Sequence, residues 1–426
     1  MPHRPNENLA TTLSPATRAR LRGVLRRPEV QAAVRSASEL GSRVWLVGGA
    51  IRDVLLARPV AEHDLAVSND PDRMARALTA AGYGTTVLLS DQNPRVYRVA
   101  GARDLDIAQI AGGSIEADLA RRDFTVNAIA CTLPGGDPID PFGGIADLAA
   151  RRLRAVSEKN LLDDPLRVLR AARLMATHGL EPDRELTRGS RRAASALTGV
   201  AGERVRTELV KLLASERVAG SLAWLASARA LAPVLAFDAA RARRFSGKHG
   251  LLRLDEGSVR RTPPSSRVPI RLALIADRAG LSPAEAGAWL RSRRFSRGEA
   301  GEVAVLLELA SRASQIRSRR DEWEWIADAG RRRTDAAALV SVLRPGRRRL
   351  ANRLARPLPR RRVRVRGADL LAWLAIPPGP IVGRLLREVE VEILRGAIRS
   401  KRDARRWLVL RQAGRPKGSK SRGPKA

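Results

Sequence analysis

The sequence predicts an α+β protein: an N-terminal domain built on a mixed sheet, then an all-helical remainder. Three observations carry this reading. Short β-rich runs alternate with helical ones only between residues 44 and 156. After Leu161 the strand signals fade, and apolar residues recur at helical spacing. At 426 residues the chain is too long for one ordinary core, so two or more domains are expected.

Along the chain, residues 1–30 read as a polar, partly disordered lead-in, with Ser14-Pro15 as a helix cap and first-turn signal. Residues 31–156 form the sheet domain. Its strands are expected at Val44–Val47, Asp64–Val67, Thr85–Leu89, Arg95–Val99 and Leu105–Ile110, with Asp91-Gln92-Asn93-Pro94 as a turn. Residues 157–235 read as a first helical segment, with apolar spacing over Leu166–His178 and Glu203–Leu213. Residues 236–411 form a second helical segment. Within it, 255–268 read as a Pro/Ser-containing loop and Arg360–Arg366 as a basic run. Residues 412–426 are Gly/Lys/Pro/Arg/Ser-rich and expected to be disordered.

Composition narrows the class. Hydrophobic residues make up 44% and aromatics only 3%, so the core must be aliphatic. The single cysteine, Cys131, excludes an internal disulfide framework and a Cys-based zinc site, and a reducing cytoplasm follows as the expected location. The N-terminus has no apolar leader, and no run reaches the ~18 apolar residues of a membrane span. The formal charge is +35. Between Gln31 and Val156 there are 14 Lys/Arg against 15 Asp/Glu, so essentially all the excess charge lies outside the sheet domain. A polyanionic partner, nucleic acid, is the expectation.

The chemistry concentrates in the sheet domain. Val44–Val47 runs into Gly48-Gly49-Ala50-Ile51-Arg52-Asp53 and then Glu62-His63-Asp64. Two glycines let backbone N–H groups approach a polyphosphate with no Cβ in the way. Glu62 and Asp64, two apart on a strand, would face one way and grip a single cation. His63 between them should face away and serve packing. Asp106, on Leu105-Asp106-Ile107, offers a third carboxylate, with Asp104 a weaker neighbour. Three acids on neighbouring strands suit a two-metal, in-line displacement. In Arg122-Asp123-Phe124-Thr125-Val126-Asn127, the arginine fork suits phosphate, and Asp123 and Asn127 suit a ribose edge. The alternative is a helix end running into a strand, with Asn127 capping a turn.

Together these residues resemble the bacterial tRNA nucleotidyltransferase/poly(A) polymerase family, the class II branch of the polymerase-β-like nucleotidyltransferases. Gly48-Gly49-x-x-Arg52-Asp53 with Glu62-x-Asp64 resembles its first motif. Arg122-Asp123-Phe124-Thr125-x-Asn127 resembles the second, and Asp140-Pro141-Phe142-Gly143-Gly144 the third, a hinge between head and neck. Asp163-Asp164-Pro165-Leu166-Arg167-Val168-Leu169-Arg170 resembles the fourth. The resemblance makes Asp164 and Arg167 the pair that reads the incoming base, with Arg170 beside them. Three apart on a helix, they would share a face; a plain surface ion pair is the alternative. Gly202–Leu213 resembles the fifth motif, and Val365–Gly383 the acceptor-arm end of these enzymes.

The resemblance implies a nucleotidyltransferase head, then helical neck, body and tail that bind tRNA. It implies addition of C and/or A from CTP and ATP to a tRNA 3′ end without a nucleic-acid template. Glu62, Asp64 and Asp106 would hold Mg²⁺; Gly48, Gly49, Arg52, Asp53, Arg122, Asp123, Asn127, Asp164, Arg167 and Arg170 would bind the nucleotide. One position departs from the pattern. The family has Asp where this chain has Glu62, and the added methylene shifts the oxygens by roughly 1.5 Å, enough to matter for a metal. Mn²⁺ preference, and an inactive RNA-binding homologue, therefore stand as alternatives, as do poly(A) synthesis and CC- or A-only addition. The four histidines are scattered and carry no phosphohydrolase pattern.

Overall fold

The computed structural model describes residues 13–60, 62–91, 94–135, 138–358 and 363–413. Parts of the expected lead-in (1–12), turn (92–93), basic run (359–362) and basic tail (414–426) lie outside them. Gln412 and Ala413, expected in the disordered tail, instead close the helix Lys401–Ala413. The chain divides into two compact units, Met1–Ser246 and Gly247–Ala426.

In the first unit, helix α1 (Pro15–Leu25) starts as its sequence signals. Pro15 occupies the first turn and the Ser14 side chain accepts from the Thr17 N–H. Helix α2 (Pro28–Glu39) follows, then strand β1 (Val44–Val47), all four residues buried. Helix α3 (Gly49–Leu55) leads to β2 (His63–Val67), α4 (Pro71–Ala80), β3 (Thr85–Ser90), β4 (Val96–Ala100) and β5 (Leu105–Gln109). Helix α5 (Ile115–Ala120) precedes two short strands, β6 (Ala130–Thr132) and β7 (Pro138–Ile139), and helix α6 (Gly144–Ala149).

The seven strands form one mixed sheet in the order β3-β4-β5-β2-β1-β6-β7. All pairings are antiparallel except β2 with β5. Five strands fall within one or two residues of the sequence reading. β6 and β7 escaped it because they are too short for period-two alternation to show. Trp45, Val47 and Ala66 pack on Ile115, Leu119 and Ala130, so α5 covers one face. Helices α2 and α4 pack on the strands as well.

Helices follow the sheet, among them α7 (Glu158–Asp163), α8 (Leu166–His178), α9 (Arg184–Ala193) and α10 (Gly202–Ala214). Helix α8 packs on α10, and it stops at Gly179, whose positive φ of 65° glycine adopts freely. A short parallel ribbon, Arg152 opposite Glu181 and Leu153 opposite Pro182, ties the end of the head to the chain beyond α8.

The second unit is helical throughout its described residues. Three of its helices begin with reciprocal capping boxes, Ser282/Glu285, Ser296/Glu299 and Ser318/Asp321. The loop expected over 255–268 is corrected: helix occupies Gly257–Arg260, and another helix runs from Pro264 to Ala279. Prolines marked a breaker in the sequence, but Pro264 sits in the first turn, where a missing N–H costs nothing. Near the C-terminus, Gly367–Leu374 and Pro380–Arg395, joined through residues 375–379, share a core with Lys401–Ala413 around Leu370, Leu385, Val389 and Leu408.

One glycine locks the head's loops together. A Cβ on Gly144 would stand 2.1 Å from the Thr125 carbonyl oxygen, inside any tolerable contact with backbone. Asp140 caps the same turn, accepting from the N–H groups of Gly144 (2.7 Å) and Ile145 (2.8 Å). The Thr125 hydroxyl donates to the buried Asp147 at 2.6 Å. The third motif thus braces the loop that carries Asp123 and Asn127. Gly144→Ala should therefore destabilise the protein by about 1–3 kcal/mol, read as a lower thermal unfolding midpoint; an unchanged midpoint would contradict this packing.

Candidate active site

Register on the sheet brings the acids together. Val47 stands opposite Asp64, Asp64 opposite Asp106, and Asp106 opposite Arg98. All lie on one face, at the end of β1 where the chain turns. That turn is built by Gly48, with φ 69° and ψ −125°, a conformation costly for any residue with a Cβ. A Cβ there would also lie 2.7 Å from Arg122 Nη1 and 3.5 Å from Asp64 Oδ2. Gly48 therefore keeps open the space between an arginine and a carboxylate.

A cavity of about 540 Å³ opens at this point, within the size range of small-ligand sites. Gly48, Gly49, Arg52, Glu62, Asp64, Arg122, Asp123, Asn127, Arg167 and Arg170 line it, so ten of the thirteen expected residues converge. Asp118, Arg121, Arg173, Glu208 and Lys211 join them. Cationic side chains outnumber anionic ones around the wall, seven to five, which suits a polyphosphate. The additional residues had a readable signal. Arg167, Arg170 and Arg173 recur every three residues and so share a face of α8, as do Glu208 and Lys211 on α10.

Each charge has a defined environment. Burial pushes the Asp64 carboxyl above its ordinary range; Arg122 opposes this, while Asp106 and Glu62 add to it. A cation beside these three acids would relieve both the desolvation and the repulsion, so the donor set fits a hard divalent ion. Among the described residues, however, no three His, Cys, Asp or Glu side chains are already gathered as a metal cluster. Asp106 shows why: Arg98 Nε and Nη2 hold its two oxygens at 2.7 Å each, and it does not line the cavity. Arg98 also approaches Asp104 at 3.4 Å. Glu62 is exposed, one residue before β2 begins, and does line the cavity.

His63 faces away from the acids, as expected. It is fully buried beside Arg27 (3.1 Å) and Glu29 (4.0 Å), and burial pulls it down to about 4, so it is neutral.

Arg52, Asp123 and Asn127 form a chain of bonds behind the cavity. Arg52 Nη1 donates to Asn127 Oδ1 at 2.6 Å, and Asn127 Nδ2 donates to Asp123 Oδ1 at 3.0 Å. Asp123 is fully enclosed. Burial alone would raise its pKa, but Arg170, Asn127 and the Phe124 N–H hold the carboxyl below its ordinary range. Arg170 Nη2 lies 3.2 Å from Asp123 Oδ2, and that carboxylate raises the arginine's pKa. Asn160 of α7 fixes the neighbouring backbone by donating to the carbonyls of Ala120 and Arg122 at 2.8 and 2.7 Å. The expected alternative for Asn127, capping a turn, is not what its side chain does.

The structure treats Asp164 and Arg167 differently. Arg167 lines the cavity, with its Nε and Nη1 buried and without hydrogen-bond partners. Burial lowers its pKa. Asp164 is outside the cavity wall and accepts from Arg204 of α10 at 2.9 Å. The expectation that the two share a helix face is corrected. Pro165 disfavours the helical region for the residue before it, so Asp164 is extended and α8 begins only at Leu166. Asp53 also lies outside the wall, bonded to Arg52 and His178.

Comparison with known proteins agrees with this geometry. Residues 44–154 match the poly(A) polymerase head-domain family. A CC-adding tRNA nucleotidyltransferase of Geobacter sulfurreducens is 29% identical across 88% of this chain and 94% of its own length. A multifunctional CCA protein of Stenotrophomonas maltophilia is 40% identical, over 45% of this chain and 51% of its own. Among solved structures, the Bacillus stearothermophilus CCA-adding enzyme in complex with CTP superposes with a TM-score of 0.68 at 25% identity, covering 91% of this chain and 98% of that one. The Thermotoga maritima CCA-adding enzyme complexed with tRNA shares the fold, with a TM-score of 0.65 at 19% identity over 92% and 98% of the two chains. Residues 44–154 thus match a poly(A) polymerase head domain, and over nearly its full length the chain is similar to class II tRNA nucleotidyltransferases, the CC-adding and CCA-adding enzymes.

Proposed function

We propose that the chain is a tRNA nucleotidyltransferase that adds C and/or A to the tRNA 3′ end from CTP and ATP, without a nucleic-acid template. One observation carries the reading: a single cavity joins the Gly48 turn, the half-buried Asp64 and the unpartnered donors of Arg167. These are a place for phosphates, an acid for a metal and a reader for a base.

In the proposed reaction the terminal 3′-hydroxyl oxygen bonds to the α-phosphorus, the bond to the β-phosphate oxygen breaks, and pyrophosphate leaves. Glu62, Asp64 and Asp106 would hold divalent cations, Mg²⁺ or Mn²⁺, which when bound supply charge neutralisation and a more acidic hydroxyl. For Asp106 this requires release from Arg98. Arg52 and Arg122, beside the Gly48-Gly49 turn, orient and neutralise the triphosphate. The Asp123–Asn127 loop meets the sugar. Arg167 offers donors to a ring nitrogen or carbonyl oxygen of the base, while Asp164, by releasing Arg204, could supply an acceptor. We assign residues 31–156 to the head and 157–235 to the neck. Residues 236–411 are the body and tail, whose positive charge serves RNA, in a cytoplasmic protein. The Geobacter relative, matched over nearly its whole length, favours a narrower reading, addition of C alone.

Incubation with tRNA lacking its CCA end should incorporate label from CTP, from ATP after C addition, or from both. C-only product selects the narrower reading, and long A-only tails select a poly(A) polymerase. Tight tRNA binding with no incorporation under either metal leaves only an RNA-binding homologue. Asp64→Ala should lower incorporation by more than about a hundredfold, and chelation should abolish it until Mg²⁺ or Mn²⁺ is restored; an unaffected variant would sink the site assignment. Arg167→Ala should cut the kcat/KM preference for the correct nucleotide over UTP and GTP by about tenfold or more; unchanged selectivity would remove Arg167 from base reading. Affinity for tRNA should fall steeply from about 50 to 200 mM salt, and a flat response would contradict a phosphate-binding surface.

A further inference from the structure

His178 lies behind this site and belongs to none of the motifs. It is the last residue of α8, buried, and its Nε2 lies 3.2 Å from Asp53 Oδ1. The same Asp53 oxygen accepts from Arg52 Nε at 3.0 Å and Nη2 at 2.9 Å. One carboxylate oxygen is thus shared between a histidine of the neck and an arginine of the phosphate cradle.

Burial lowers the His178 pKa, and the hydrogen bond with Asp53 opposes the shift. A carboxylate only accepts, so Nε2 carries a proton and donates to Asp53, while Nδ1 lies 2.7 Å from the Thr177 hydroxyl, which itself donates to the Arg173 carbonyl at 2.8 Å. Asp53 in turn is pushed up by burial and brought below its ordinary range by His178 and Arg52. Two head arginines anchor this turn of α8. Arg151 donates to the His178 carbonyl at 3.2 Å, and Arg58 donates to the Thr177 carbonyl.

The bonds close a circuit. It leaves α8 at Arg170, passes through Asp123, Asn127, Arg52 and Asp53, and returns to α8 at His178. Its two ends on the helix are about 12 Å apart along the axis. Arg52 is therefore gripped from both sides by groups that answer to the position of one helix, the helix that also carries Arg167.

We propose that His178 is a positioning residue of the nucleotide site: through Asp53 it fixes the Arg52 guanidinium, and so couples the base-reading helix to the phosphate cradle. The inference rests on the proposed nucleotide site and extends it to residues outside the cavity wall. Asp53, expected to touch the nucleotide, acts here through Arg52.

The test is a double-mutant cycle on the full chain, read by calorimetric CTP binding and by kcat and KM for incorporation. His178→Ala should weaken CTP binding and raise its KM by about tenfold, the loss of a hydrogen bond to a charged group, with the KM for tRNA unchanged. His178→Gln, which keeps a donor near the Nε2 position, should recover most of it. In an Arg52→Ala background, His178→Ala should add nothing. Additive losses in the cycle, unchanged CTP affinity in His178→Ala, or a loss that tracks only a lowered thermal midpoint and is not rescued by Gln would each overturn the proposal. The binding arm is independent of turnover: a wild-type protein that binds CTP but transfers nothing would fail the transfer reading, and the cycle would still decide the role of His178.

Discussion

The site depends on one steric constraint, the missing Cβ at Gly48. The end of β1, the start of α3, Asp64 and Arg122 meet there within van der Waals range of where a side chain would begin. With φ at 69°, the turn lets the chain leave the sheet and enter α3 immediately. No nearby substitution could recreate that arrangement, because any Cβ would both strain the backbone and occupy the space. The rest of the head supports this turn: β2 and β5 set the acids in register, and the third motif, Asn160 and Asp147 brace the loop that carries Asp123 and Asn127.

Electrostatics then divides the labour. Asp123 is buried, paired with Arg170 at 3.2 Å and held by Asn127 and the Phe124 N–H, which keep its carboxyl below the ordinary range. Asp64 is half-buried, its carboxylate has no hydrogen-bond partner among the described residues, and desolvation raises its carboxyl above the ordinary range. Arg167 is half-buried, and its Nε and Nη1 lack hydrogen-bond partners. Buried charges left incompletely paired are costly and tend to mark function. In the proposed reading Asp64 and Arg167 are the groups that take up the ligand. Arg98 holds Asp106 as a counter-ion of the kind a metal would replace.

Much of this was legible in the sequence. Gly-Gly after a buried apolar run fixed the turn, and alternation put Asp64 and Asp106 on one face, because strand geometry is local. Helix α8 matched its apolar spacing residue for residue. What escaped was non-local or depended on one backbone angle. Asp53 and His178 are 125 residues apart and meet only through the packing of neck on head. Asp164 looked like a helical partner of Arg167, but Pro165 forces it out of the helix and towards Arg204. Pro264 looked like a loop and proved to be a helix start, since proline is compatible with a first turn as well as with a break.

A structure of the full protein with a non-hydrolysable CTP analogue and Mn²⁺ tests the central claim most directly. The account predicts the triphosphate against Gly48-Gly49 with Arg52 and Arg122 on its oxygens. Mn²⁺ should sit on Asp64, and the base edge within hydrogen-bond reach of Arg167. A nucleotide bound elsewhere, or in this cavity with its phosphates away from Gly48 and no metal on Asp64, would contradict it.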